Sequence, residues 1–124
     1  MAKEIKKNEF RKNNSKEGQG HPAHIYAQKG KKFIYIGITH AEITDDIENI
    51  PLEKNPEPGN KTKAYIRPNP EEAHRSSFGS KLKGWFFSDK DKIKVDEVKK
   101  KPVKKKWLWY NIPYEIGCFP KGGI

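Results

Sequence analysis

Two neighbouring stretches carry the clearest hydrophobic pattern in the chain. In residues 23–28, Ala23, Ile25 and Ala27 fall on one face and His24, Tyr26 and Gln28 on the other, the period of a half-buried strand. Residues 33–39, Phe-Ile-Tyr-Ile-Gly-Ile-Thr, are aromatic and β-branched almost throughout and read as a central strand. Lys29-Gly30-Lys31-Lys32 between them makes a hairpin turn, with Gly30 free to take a positive φ.

The pattern weakens beyond this hairpin. A third strand is expected over residues 45–52, with Pro51 pointing to an edge or a bulge. Asn55-Pro56-Glu57-Pro58-Gly59-Asn60 reads as a rigid, turn-rich loop, and residues 64–67 as a fourth strand stopped by Pro68. Asn69 as cap and Pro70 at the first position predict one helical turn over residues 70–75. Residues 76–84 are mostly polar and loop-like, and Trp85-Phe86-Phe87 reads as an anchor. Ser88 with Asp91 has capping-box character and predicts a short helix to about Lys100, with Ile93 and Val98 its main apolar contacts. The alternation Ile93-Lys94-Val95 keeps a strand open there as the rival reading.

The two ends differ from the middle. Residues 1–19 hold only Ile5 and Phe10 as large apolar groups, too little to offset ordering entropy, and are expected to be a disordered basic arm. Residues 20–100 then form the folded domain. Residues 101–124 form a basic linker and an aromatic segment (Trp107, Trp109, Tyr110) that packs on it. The expected fold class is mainly β with short helices, a small twisted barrel carrying a flexible basic N-terminal arm.

Charge narrows the partners. Lys and Arg number 26 against 16 Asp and Glu, a net +10, which favours phosphate backbones over neutral or basic partners. Cys118 is the only cysteine, so an intramolecular disulfide is excluded and a thiol-based zinc site disfavoured. No apolar window has the length of a signal peptide core or a membrane span, and the expectation is a cytoplasmic protein without a membrane partner.

The candidate chemistry sits at strand ends. His21 enters the first strand between Gly20 and Pro22, and Thr39-His40 ends the second. A hairpin can bring these ends to one rim of the sheet. Imidazole exchanges protons near neutral pH, as attack by a ribose 2′-hydroxyl on phosphorus requires, and a threonine hydroxyl can donate to a phosphate oxygen. The plain alternative is a pair of turn histidines and a β-forming threonine. Arg67 and Arg75, two of only three arginines, are candidates for steadying a pentacoordinate phosphorus, against the plain reading of surface arginine. His24 and Tyr26 share a face that could meet nucleic acid, although a surface histidine is the preferred reading of His24. Lys104, Lys105 and Lys106 offer non-specific attraction to RNA. His74 has no evident role. His21 and His24 lie three apart, yet no set of cysteines or carboxylates at ligand spacing accompanies them, and no metal site is assigned.

The order of features resembles the MazF/PemK (Kid, CcdB-like) toxin family over roughly two-thirds of the chain. Gly20-His21-Pro22-Ala23-His24-Ile25-Tyr26 is similar to that family's Gly-x-Arg-Pro-hydrophobic strand entry. Phe33-Ile34-Tyr35-Ile36-Gly37-Ile38-Thr39-His40 resembles the next strand, Asn49-Ile50-Pro51-Leu52 the Val-Pro-Leu strand, and Lys63-Ala64-Tyr65-Ile66-Arg67 the strand before a short 3₁₀ turn. Leu82 to Val98 resembles the closing helix. The resemblance implies an SH3-like barrel, commonly a homodimer, and metal-independent cleavage of single-stranded RNA to a 2′,3′-cyclic phosphate, without cofactor. It implies an antitoxin protein as a partner. It places the family's catalytic arginine and threonine at His21 and Thr39, so a histidine stands where the family has a permanent cation. The family's usual opening strand has no match in residues 1–19.

The leading expectation is a toxin-type endoribonuclease using His21, Thr39, His40 and Arg67. Its first rival is a non-catalytic nucleic-acid-binding accessory protein of a phage or mobile element. Others are a RelE/barnase-like ribonuclease and a protein that docks partners through residues 107–119.

Overall fold

The computed structural model describes residues 5–16 and 19–103. Nine strands, one 3₁₀ turn and one helix occur among them. They run β1 (Glu9–Asn13), β2 (His21–Lys29), β3 (Lys32–Thr39), β4 (Ile43–Thr44), β5 (Ile47–Glu48), β6 (Ile50–Pro51), β7 (Tyr65–Ile66), β8 (Glu71–His74), the 3₁₀ turn Arg75–Ser77, β9 (Phe78–Lys81) and α1 (Asp89–Lys99). The protein is mainly β. Seven strands form one antiparallel sheet in the order β6-β7-β3-β2-β1-β9, with β8 also on β3. The sheet is barrel-like but not closed.

The β2–β3 hairpin organises this sheet as its pattern predicts. Gly30 turns the chain at φ +62°, Lys29 pairs with Lys32, and a bulge between Ile25 and Ala27 shifts the register. β3 bonds β2 along one edge and is shared by β8 and β7 along the other. Its side chains divide between two cores. Ile36 and Ile38 join Phe10, Leu52, Ala64, Ile66, Phe87, Val95 and Val98, whereas Phe33 and Tyr35 join Ile5, Ala23 and Ile25. Apolar groups are therefore buried on both faces of the central hairpin.

Several expected boundaries differ. Residues 9–13, assigned to a mobile arm, are β1, paired to β2 on one side and β9 on the other. Phe10 is its apolar anchor. On the opposite face Glu9 and Arg11 are both buried and satisfy one another, Arg11 Nε donating to Glu9 Oε1 at 2.9 Å and Nη1 to the Gly79 carbonyl at 2.8 Å. The pair supplies order that apolar content alone does not foretell.

Residues 45–52 do not form one strand. Asp45 and Asp46 take φ of +51° and +62° and make a two-residue turn between β4 and β5, the left-handed geometry that short polar side chains tolerate best after glycine. Residues 71–74, expected to be helical, pair with β3, and the helical turn comes after them, capped by His74 Nδ1 accepting from Ser76 N–H. Within the expected loop, residues 78–81 are β9.

The helix α1 starts where the Ser88 signal places it, Ser88 Oγ accepting from Asp91 N–H. Val95 and Val98 face the core, while Ile93 is exposed. Asp91 is fully buried. Its carboxylate accepts from the backbone N–H groups of Glu53 (2.7 Å) and Lys54 (3.1 Å), which ties the helix to the segment after β6. The linker lysines 104–106 and the aromatic segment at 107–119 lie outside the described residues.

Candidate functional site

His21 opens β2 and Thr39 closes β3, and antiparallel pairing puts both at the same end of the sheet. There they line one small hollow of about 50 Å³ together with Pro22, Ile38, His40, Asn55, Glu57 and Trp85. A volume near that of one or two waters cannot enclose a base, so a nucleic acid would lie across the hollow rather than enter it.

The local geometry fixes most of these groups. Thr39 Oγ1 accepts from Ala41 N–H at 3.1 Å, which anchors the oxygen and leaves its own proton to donate elsewhere. His21 is exposed. His40 is also exposed, with its Nε2 3.5 Å from Asn55 Nδ2. Asn55 is buried at the start of the Pro-Glu-Pro-Gly loop, where its Oδ1 accepts from Glu57 N–H at 2.9 Å. Glu57 Oε1 accepts from Asn60 Nδ2 at 2.8 Å. The same loop thus delivers an amide and a carboxylate to the rim.

Sequence reasoning missed Asn55, Glu57 and Trp85. The dense turn signal of residues 55–60 was the available clue, because sites gather on loops held by a rigid scaffold.

The other candidates lie elsewhere. Arg67 leaves β7 opposite Gly37, with its backbone N–H bonded to the Gly37 carbonyl at 2.9 Å. Its stem lies across that glycine so closely that a Cβ there would meet Arg67 Cγ at 3.0 Å. Its guanidinium is committed, Nη1 donating to Asn49 Oδ1 at 2.7 Å and to the Thr44 carbonyl at 3.3 Å. Asn49 is itself buried and donates to Ala41 O and Thr44 Oγ1. Arg67 therefore fastens the β4–β5 hairpin and does not line the hollow. Arg75 is bonded through its backbone to Lys31 at the opposite end of β3, roughly 23 Å of strand away.

His24 and Tyr26 also leave the candidate interface. His24 is 4% exposed, its ring 4.8 Å from that of Phe10 and 4.9 Å from that of Phe87. Burial, with Lys99 nearby as a lesser cause, lowers its pKa from 6.5 to about 3, so it is neutral at physiological pH. Its Nδ1 is buried without a hydrogen-bond partner. Tyr26 is half-buried beneath Lys99, whose Nζ stands 5.3 Å from the ring centroid, and burial raises its pKa. Lys99 loses solvation there too, which lowers its pKa, with Asp96 opposing the shift. The face that alternation marks as polar is thus packed against Phe10, Phe87 and α1.

No group of three or more His, Cys, Asp or Glu among the described residues is arranged to hold a metal ion. None of their helices is long and apolar enough to cross a membrane. Comparison with protein-family models, with curated proteins and with solved structures yields no match.

Proposed function

We propose that this chain is a toxin-type, metal-independent endoribonuclease that cleaves single-stranded RNA at the His21–Thr39–His40 rim. The observation that carries the reading is the meeting of His21, at the start of β2, with the adjacent Thr39 and His40, at the end of β3, around one hollow at the end of the central hairpin. A net charge of +10 supports a polyanionic substrate.

RNA supplies its own nucleophile. A base takes the proton of the 2′-hydroxyl, the 2′-oxygen attacks phosphorus, the bond to the 5′-oxygen breaks, and an acid returns a proton to that oxygen. The products are a 2′,3′-cyclic phosphate and a 5′-hydroxyl. His21 and Glu57 are the proton carriers in this reading, since one group must accept and another donate. The Thr39 hydroxyl and a ring N–H of His40 donate to the phosphate oxygens, where negative charge grows in the transition state. Arg67 and Arg75 take no part.

The test is incubation of single-stranded RNA with the protein in chelator, beside His21→Ala. Cyclic-phosphate products that depend on His21 support the proposal; cleavage unchanged in His21→Ala removes this histidine from the chemistry. The second reading is a nucleic-acid-binding protein without cleavage. It is favoured by the commitment of Arg67 to Asn49 and by the Glu57 carboxylate, which repels a phosphate. It predicts salt-sensitive binding with intact RNA.

A further inference from the structure

The Asn55 amide is fixed by two backbone groups. Its Oδ1 accepts from Glu57 N–H at 2.9 Å, and its Nδ2 donates to the Thr62 carbonyl at 2.9 Å. Turning the amide over would set N–H against N–H at Glu57 and oxygen against oxygen at Thr62. The residue is only 6% exposed, so water cannot readily rescue either clash. The orientation found is the one this network allows.

An amide nitrogen has two protons and no lone pair to offer. With one proton on Thr62 O, the other remains for His40 Nε2, 3.5 Å away and so farther than the usual reach of roughly 2.7–3.2 Å. A donor-only neighbour needs an acceptor opposite it. We infer that Asn55 is a positioning residue that holds neutral His40 as the tautomer with its proton on Nδ1 and the Nε2 lone pair facing the amide. Free histidine side chains favour the other tautomer, so the loop reverses the ordinary preference.

The consequence rests on the nuclease reading of the rim. With Nε2 turned to Asn55, the only N–H on the neutral His40 ring is at Nδ1, and its only lone pair faces the amide. His40 is then a hydrogen-bond donor to a phosphate oxygen and not the base that takes the 2′-proton. Proton transfer falls to His21 and Glu57. The Asn55 contact sets His40 apart from His21, a distinction that spacing in sequence does not reveal.

Long-range proton–nitrogen NMR of the ¹⁵N-labelled full chain tests this at a pH where His40 is neutral. The expected wild-type spectrum places His40 Nε2 as the unprotonated, downfield nitrogen and Nδ1 as the protonated one. In Asn55→Asp, where an acceptor replaces the donor, the two assignments should exchange, and in Asn55→Ala the ordinary tautomer should return. A wild-type spectrum with the proton on Nε2 overturns the inference without needing any variant to fold. An Nδ1–H spectrum in a protein that cleaves no RNA leaves the inference standing and removes the nuclease reading. Cleavage that requires His21, with an Nε2–H spectrum, does the reverse.

Discussion

At the rim, His21 is exposed beside the hollow; three residues along the same strand, His24 is enclosed between Phe10 and Phe87. The same side chain has opposite properties in the two places. At the rim the ring stands open to water. In the interior the charged form is disfavoured so strongly that His24 behaves as a flat, neutral filler. Residue type therefore says little about role until the packing of each face is known.

The largest effect should come from the rim. His21→Ala is expected to lower RNA cleavage by about 10²–10⁴-fold while leaving the melting temperature within a degree or two of wild type, because the residue is exposed and buries little. Single-turnover cleavage rates with parallel thermal melts check both halves. Loss of rate together with a large fall in melting temperature would place His21 in the scaffold and erase the contrast with His24.

The interior histidine predicts a pH effect on stability. The unfolded chain binds a proton at His24 near pH 6.5, the folded chain only near pH 3. Between those values the unfolded state holds more protons, so stability rises with pH across the window and is lost as pH falls through it, by about 1.4 kcal/mol per unit. Going from pH 7 to pH 5 should cost about 2 kcal/mol from this group. His24→Leu, similar in volume and with no Nδ1 to leave unpaired, should be at least as stable at pH 7 and should lose that slope. Urea melts of the two proteins at several pH values give the difference directly, with the carboxylates common to both.

Arg67→Ala should cost about 1 kcal/mol, since Asn49 Oδ1 is left buried without its partner. Cleavage per folded molecule should be unchanged. A rate loss of a hundredfold in a protein that still folds would return Arg67 to the catalytic set and reinstate the expectation that it steadies the pentacoordinate phosphorus.

How much of this could be read from the chain depends on how each element is held. The β2–β3 hairpin was legible because its alternation and Gly30 agree, and its topology alone brings His21 to the end of the sheet where Thr39 lies. α1 was legible from Ser88. β1 was not, because three of its five residues, Glu9, Arg11 and Asn13, are polar yet buried, an arrangement that looks like a solvated face until the partners are known. The misreading of His24 has the same root. Alternation identifies two faces and says which is more polar, but here both are covered. Asn55 and Glu57 reach the rim through a loop 15 or more residues beyond His40, a closure that no local pattern encodes.

The smallest expected effect isolates what makes the interior different from the rim. Two causes lower the pKa of His24, burial first and the positive charge of Lys99 second. Lys99 is held by Asn8 Oδ1 at 3.2 Å and lies over Tyr26, so a glutamine in its place keeps much of the stem packing and removes the charge. Lys99→Gln should raise the His24 pKa only modestly and narrow the acid-sensitive window from its lower end, leaving the pH 7 stability within about 0.5 kcal/mol of wild type. NMR titration of His24 in both proteins measures the shift. Should the pKa return close to 6.5, charge rather than enclosure would govern the interior histidine, and the two regions would differ by one lysine instead of by solvation.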